Sequence, residues 1–318
     1  MAKTKYAVGV DLGGTSIKVG LVSEDGKIIN KTSLDSLAKE GPEAVVGQIM
    51  KGIDEVLKGV KGKIEGIGIG SPGIVNAKKG IVENPPNFQG WEKVQLGKLL
   101  KKEFNTAVFV ENDANVAAIG EMIYGAGKKL DYFIMITLGT GVGGGIIINR
   151  KIYRGESGAA GELGHVTIDH NGAQCKCGSL GCIEAYAGNN YLVERVTAEL
   201  QDRPHSKLND LIKVEGELTP KLIHDAALQN DEYSKQIIVD LGVKIGHAIA
   251  SIINVLDIPN IIIGGGVAGF GDLLFVPLKD AVIDRVMIPM KPKIKIKAAK
   301  LLNQAGIKGA SALVFYRK

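Results

Sequence analysis

The sequence predicts an α/β protein made of two related nucleotide-binding domains, and three observations lead there. The chain has 318 residues, 45% of them hydrophobic and 23% charged, which is globular and long enough for two domains of ordinary size. An apolar run, Tyr6 to Val10, leads into Asp11-Leu12-Gly13-Gly14-Thr15 and then into a second apolar run, Ile17 to Val22. The same pattern returns at Tyr132-Phe133-Ile134-Met135-Ile136-Thr137-Leu138-Gly139-Thr140-Gly141, which lies over Tyr6 to Thr15 without a gap. Strand, Gly/Thr turn and strand, met twice, is what a duplicated nucleotide-binding unit would show.

The elements follow in order. Tyr6–Val10 and Ile17–Val22 are predicted strands, and Glu24-Asp25-Gly26-Lys27 is a turn into Ile28-Ile29. Pro42 to Lys58 carries Val45, Val46, Ile49, Ile53, Val56 and Leu57 at helical spacing. Ile64–Ile69 is a buried strand that ends in Ser71-Pro72-Gly73, and Val108–Glu111 is another that ends in Asn112-Asp113. Ala114 to Tyr124 reads as a helix. After the second Gly/Thr turn, Gly143-Gly144-Gly145 leads to a strand, Ile146–Ile148. Leu200 to Glu232 is polar and helical, with Thr219-Pro220 as a helix start: a capping hydroxyl, then proline at the first helical position. Gln236 to Leu256 is apolar enough to be weighed as a membrane span. Asp240, Lys244 and His247 interrupt it, so a helix buried on most sides is the expectation. A third strand with glycines, Ile261-Ile262-Ile263-Gly264-Gly265-Gly266-Val267, comes late.

A glycine turn after a strand lets backbone N–H groups converge on an anion, because no Cβ blocks the approach. Asp11 to Thr15 adds a hydroxyl for a phosphate oxygen and an acid that can hold Mg2+ through water. It is not a P-loop, since no Gly-Lys-Ser/Thr follows at the required spacing, and Gly264–Gly266 is not a dinucleotide fingerprint. A tight hairpin alone would explain any one turn. Three at strand ends point to nucleotide binding in a cleft between two such domains.

Gly161-Glu162-Leu163-Gly164-His165, followed by Cys175-Lys176-Cys177-Gly178-Ser179-Leu180-Gly181-Cys182-Ile183-Glu184, holds every cysteine of the chain near one histidine. Three readings compete. A disulfide plus a spare thiol is disfavoured by the odd number and the poor geometry of Cys-X-Cys for a local bridge. Ordinary small buried residues are disfavoured by the clustering with Gly178 and Gly181. The favoured reading is a structural Cys3His zinc site of His165, Cys175, Cys177 and Cys182. Four protein ligands leave no open position for a reactive water, so the metal is expected to shape a polar site rather than to do chemistry. Glu162 and Glu184 are then carboxylates held near it.

The formal net charge of +5 is mild, and no dense basic run with aromatics occurs, so neither nucleic acid nor a membrane is an expected partner. Asp11 interrupts the first apolar stretch, which is therefore not a signal-peptide core, and a cytoplasmic protein is expected.

These motifs resemble the ROK family (repressors, open reading frames and kinases), with its bacterial glucokinases, and the resemblance covers essentially the whole chain. Asp11-Leu12-Gly13-Gly14-Thr15 looks like the family's first phosphate loop and Leu138-Gly139-Thr140-Gly141-Val142-Gly143 like its second. Gly155 through Glu162-Leu163-Gly164-His165, with Cys175-X-Cys177-Gly178-X-X-Gly181-Cys182-X-Glu184, is similar to the family signature with its zinc site. The resemblance implies an α/β two-domain actin-like, hexokinase-like ATPase fold of ribonuclease-H-like repeats with a central cleft. It implies a small domain of 1–112 plus 303–318 and a larger one of 113–302 carrying the zinc. It implies phosphorylation of glucose to glucose 6-phosphate, the first step of glycolysis, with fructose, mannose, N-acetylmannosamine or allose as the alternative sugar and a homodimer or higher homo-oligomer as the assembly.

Residue by residue, the resemblance makes Asp113 the base that accepts the proton of the sugar 6-hydroxyl. Asn87, Asn112, Asp113, Glu162, His165 and Glu184 become the sugar-binding residues. Asp11, Gly13, Gly14, Thr15, Lys18, Gly139, Thr140, Gly141, Gly264, Gly265 and Gly266 become the Mg-ATP-binding residues. A helix N-cap explains Asn112-Asp113 equally simply, and both can hold at once. Asn87 lies in a loop with the only tryptophan, Trp91, which a plain core position would also explain. A sugar-sensing repressor of the same family would carry an N-terminal helix-turn-helix, for which a first strand near Tyr6 leaves no room. An actin-like assembly or chaperone ATPase would have no use for a metal-ordered carboxylate cluster.

Overall fold

Apolar strands build the first sheet, with glycines in β1, β2 and β4, in a computed structural model that describes residues 4–60 and 62–316. β1 (Tyr6–Leu12), β2 (Ser16–Ser23) and β3 (Ile28–Asp35) form an antiparallel meander. α1 (Pro42–Leu57) starts on proline and buries Val45, Val46, Ile49, Ile53 and Val56, the stripe its spacing predicts. β4 (Ile67–Ser71) then lies parallel to β1. A small three-stranded sheet follows, from β5 (Ile74–Asn76), β6 (Ile81–Glu83) and β7 (Lys93–Val94). After α2 (Leu96–Phe104), β8 (Val108–Asn112) pairs parallel with β4, and α3 (Asp113–Tyr124) begins directly at its end. The order is β3-β2-β1-β4-β8.

The second half repeats this order. β9 (Phe133–Leu138), β10 (Val142–Ile148) and β11 (Lys151–Ile152) run in sequence. Helices α4 (Glu184–Ala187), α5 (Asn189–Glu199), α6 (Lys207–Glu215), α7 (Pro220–Leu228) and α8 (Glu232–Leu256) intervene before β12 (Asn260–Gly264). α9 (Asp272–Arg285), β13 (Lys295–Ala298) and α10 (Ala305–Phe315) complete the chain. The sheet order is β11-β10-β9-β12-β13, third-second-first-fourth-fifth as in the first half. The chain divides into two units, 1–135 with 145–161 and 299–318, and 136–144 with 162–298; the division runs through β9 and β10.

Two local expectations change. The strand expected over Ile146–Ile148 begins already at Val142, so Gly143, Gly144 and Gly145 lie inside β10. The reason at Gly145 is packing: a Cβ there would meet Ala118 of α3 at 2.7 Å, so glycine lets helix and strand approach. Gly264–Gly266 ends β12 and runs into a 3-10 turn, Gly266–Phe270, so the third glycine element is strand-turn-helix and not a copy of the first two.

Close backbone approach holds the first unit together. A Cβ on Gly9 would overlap the carbonyl oxygen of Ile307, and one on Gly68 that of Ala310, so α10 lies directly on β1 and β4. Neither carbonyl can move without breaking α10. Gly68→Ala is therefore expected to cost about 3 kcal/mol of stability, at the upper end for overpacking. Urea denaturation with an unchanged m-value would read it; an unaltered midpoint would contradict this packing.

α8 meets the length and apolar composition of a membrane span, but 61% of that window is buried within the protein. Gly242 and Gly246, one turn apart, let α9 come close: added Cβ atoms would meet the carbonyl oxygens of Leu274 at 2.8 Å and Leu278 at 2.6 Å. α8 is thus a core helix. The helix start at Thr219 is as expected, its Oγ1 accepting from the N–H of Leu222 at 3.3 Å. Trp91 is a core residue, 3% exposed, with Phe88 edge-on at 5.6 Å and its Nε1 donating to the carbonyl of Val82 at 3.2 Å.

Candidate active site

In the first unit, the turn between β1 and β2 is closed by the N–H of Gly13 donating to the carbonyl of Ser16 at 3.0 Å. Ser36, 2% exposed, takes up the turn's carbonyls: its Oγ donates to Gly14 O at 2.6 Å and its N–H to Thr15 O at 3.0 Å. The N–H groups of Gly14 and Thr15 have no acceptor among the described residues, and both residues are exposed. That is the arrangement an anion needs. Ser36 follows β3, far enough along the chain that no motif points to it.

Asp11 stands opposite Lys18 in the strand register. Burial raises its carboxyl above the usual range, and the Lys18 charge works against that. A Cβ on Gly306 would run into the Asp11 carboxylate, so the first turn of α10 is shaped around this acid. A partly buried acid with a raised pKa gains from a cation, which favours its ionised form. Asn87, exposed and with φ of 70°, sits over the same turn: a Cβ on Gly14 would lie 3.7 Å from the Asn87 Cβ. Asparagine tolerates that left-handed backbone better than most residues.

Asn112 and Asp113 occupy the β8–α3 junction. The Asn112 side chain accepts from the N–H of Ala114 at 2.9 Å and of Asn115 at 3.2 Å, a helix N-cap as the simple reading expects. Asp113 is exposed, and its Oδ1 accepts from the N–H of Ala114 at 2.8 Å. The cap rests on Asn112, so the carboxylate next to it can serve chemistry without being needed to start the helix.

In the second unit, the β9–β10 turn has its own closure, Gly139 N–H to Gly141 O at 3.0 Å. The N–H groups of Thr140 and Gly141 have no acceptor among the described residues. Asn189, at the start of α5, donates its N–H to the carbonyl of Gly139 at 2.9 Å. Gly265, with φ of 88°, packs against the same strand end, because a Cβ there would overlap the carbonyl of Leu138. Gly266 is open, and Phe270 at the end of its 3-10 turn stacks on His224 of α7, 5.0 Å apart and 7° from parallel.

His165, Cys175, Cys177 and Cys182 place their donor atoms within 4.8 Å of one another. Cys177 and Cys182 Sγ atoms are 3.7 Å apart and Cys175 Sγ is 3.8 Å from His165 Nδ1, with every cysteine free. A tetrahedron with metal–sulfur bonds of about 2.3 Å has edges of about 3.8 Å, so the donor set fits one cation of that kind. Burial pushes the Cys182 thiol up to about 12, while hydrogen bonds from Ser179 and Cys175 lower Cys177. A bound dication would deprotonate such thiols outright. Nδ1 faces the sulfurs, so Nε2 of the exposed ring is left for another partner.

Two tyrosines that the sequence did not single out hold this loop. Tyr191 Oη accepts from the N–H of Lys176 at 2.8 Å and donates to Cys175 Sγ at 3.9 Å. Tyr186 Oη accepts from the N–H of Ala173 at 3.0 Å. The spacing of Tyr186 and Tyr191 from Cys182 is the only signal, and it acquires meaning once α4 and α5 are placed.

Glu162 and Glu184 flank the cluster. Glu162 is exposed and begins the 3-10 turn Leu163–His165. Glu184 is the first residue of α4, and its Oε2 accepts from the N–H of Val142 at 2.9 Å. A Cβ on Gly164 would overlap the carbonyl of Val142. Both carboxylate-bearing segments are thereby fastened to the residue that follows the second glycine turn. Oε1 of Glu184 has no hydrogen-bond donor among the described residues and can accept from a hydroxyl.

The chain matches the model of the ROK family over residues 7–316, and it belongs to that family. It is 39% identical to the glucokinase of Thermotoga maritima over 317 residues, 99% of this chain and 98% of that one. It is 31% identical to the xylose repressor of Caldicellulosiruptor bescii over 311 residues, 96% of this chain and 77% of the repressor. Among solved structures, a ROK family glucokinase from Streptomyces griseus in complex with glucose and AMPPNP superimposes with a TM-score of 0.85 at 34% identity, covering 97% of this chain and 98% of that one. The fold is the two-domain actin-like ATPase fold of the ROK hexokinases.

Proposed function

We propose that the chain is a cytoplasmic ATP-dependent glucokinase, converting glucose to glucose 6-phosphate. The observation that carries this is the full-length likeness to glucokinases, together with glycine turns whose amides are free for phosphate and an exposed acid at a strand end. Asp113 accepts the 6-hydroxyl proton as the oxygen attacks the γ-phosphate in line. The amides of Gly14, Thr15, Thr140 and Gly141 and the hydroxyls of Thr15 and Thr140 bind phosphate oxygens, with Gly13, Gly139 and Lys18 completing the two turns. Gly264, Gly265 and Gly266 border the adenosine. Asn87, Asn112, Glu162, His165 and Glu184 read the sugar hydroxyls, which both donate and accept.

Magnesium bound with ATP would supply charge neutralisation on the phosphates, and Asp11 is the acid that would hold it. Zinc is the ion proposed for His165 and the three cysteines, and there it would order the loop between Glu162 and Glu184. Residues 1–112 with 303–318, and 113–302, are proposed as the two domains, in a homodimer or higher homo-oligomer.

A panel of hexoses with ATP, read by ADP release, tests the sugar. The expected result is the highest kcat/KM for glucose. A higher value for fructose, mannose, N-acetylmannosamine or allose would move the assignment to that sugar, and no turnover of any would refute a hexose kinase. Running the panel with ADP or polyphosphate in place of ATP tests the phosphoryl donor.

A further inference from the structure

Glu111 lies at the penultimate position of β8, immediately before Asn112 and Asp113, and is 2% exposed. A carboxylate so far from water must be paired and hydrogen-bonded. Its Oε1 accepts from the N–H of Asn112 at 3.1 Å and from Nδ2 of Asn115 at 3.1 Å. Its Oε2 receives Nε and Nη2 of Arg154, each at 2.7 Å. One oxygen is therefore committed to the turn that carries Asn112 and Asp113, and the other to a guanidinium from a distant part of the chain.

Arg154 stands at the root of the glycine-rich loop after β11. Its carbonyl accepts from the N–H of Ala160 at 3.1 Å, and Gly155, Gly158 and Gly161 in that loop all have positive φ. The loop leads straight into Glu162-Leu163-Gly164-His165. Arg154 anchors it through its charged side chain, which is paired with Glu111. Its guanidinium edge meets a single carboxylate oxygen through two N–H groups, a geometry that lysine cannot reproduce.

We propose that the Glu111–Arg154 ion pair is a positioning device for sugar phosphorylation: it sets the Asn112–Asp113 turn and the entry to the Glu162–His165 segment relative to a common buried charge. Neither residue touches the sugar or the phosphates. This rests on the assignment of Asp113 and Glu162 to the sugar kinase reaction. A displacement of about 1 Å in such a constellation lowers turnover by about 100-fold, so a pair that holds two segments at once is felt in kinetics as well as in stability.

The test uses the full chain and four variants: Arg154→Lys, Arg154→Met, Glu111→Gln and the double Glu111→Gln/Arg154→Met. Steady-state kinetics are run on the parent's best hexose, alongside thermal midpoints. For Arg154→Met we expect kcat to fall about 100-fold and the sugar KM to rise, with the ATP KM within about twofold. Arg154→Lys should recover about tenfold of that loss, since it restores the charge without the fork. The double variant, which leaves no bare buried charge and so folds most securely, should lose no more than Arg154→Met alone, because the two residues act as one unit. Arg154→Lys and Glu111→Gln with kcat and sugar KM within twofold of the parent would overturn the proposal, whatever their midpoints. So would losses that multiply in the double variant. A parent inert toward every hexose would refute the kinase reading and this one with it, whereas an active parent with unchanged variants refutes the pair alone.

Discussion

Replacing Asp113 by alanine is expected to lower kcat by about 100- to 10,000-fold, the range that a positioned acid–base group contributes, with the sugar KM changed only a few-fold. The separation of effects follows from the local structure. The N-cap of α3 is Asn112, which accepts from the N–H groups of Ala114 and Asn115, so loss of the neighbouring carboxylate leaves the helix start in place. Asp113→Asn retains an oxygen for Ala114 N–H and is expected to be as inactive as the alanine variant, because the missing property is basicity and not shape. Steady-state kinetics beside a thermal melt would read both. Near-normal turnover in either folded variant would remove Asp113 from the mechanism.

The second large effect is expected at the cysteine-histidine cluster. Cys182→Ser removes a buried thiol, 0% exposed, from a set of donors that meet the geometry of one tetrahedral cation. We expect bound zinc to be lost, the thermal midpoint to fall, and kcat/KM for the sugar to drop about 100-fold. The route to activity is indirect. The loop that the cluster closes carries Glu162 and His165 at one end and Glu184 at the other. Glu184 and Gly164 both bear on Val142, directly after the second glycine turn. Chelation should act the same way, slowly, while Asp113→Ala should keep its full metal content. Full activity in protein shown by elemental analysis to be metal-free would refute a structural zinc.

Much of the first turn could be read from its residues. Asp11-Leu12-Gly13-Gly14-Thr15 announces a strand end with free amides, and the ungapped return at Tyr132 to Gly141 announces the repeated sheet order. These signals are local: strand periodicity and the absence of a Cβ act within a few residues. The run Gly143–Gly145 left the start of β10 open for the same reason. Glycine means a turn or a close approach, and only the presence of Ala118 behind β10 decides between them. Trp91 was likewise ambiguous until Val82 and Phe88 closed around it. Ser36, Tyr186, Tyr191 and Arg154 were invisible as site-supporting residues, because each acts on a partner remote in sequence or on a backbone group that carries no sequence signal.

By itself the sequence determined the duplicated strand-turn-strand plan, the four metal-type donors, the acid at the end of β8 and membership of a kinase-bearing family. Those depend on residue chemistry and short spacings, which a linear text preserves. Tertiary structure alone decided which amides remain free, which carbonyls Ser36 takes up, that Glu184 is tied to the second turn, and that a buried Glu111 is answered by Arg154. Each of these is settled by hydrogen-bond satisfaction inside a packed protein, where a donor's partner is whatever the fold brings within about 3 Å.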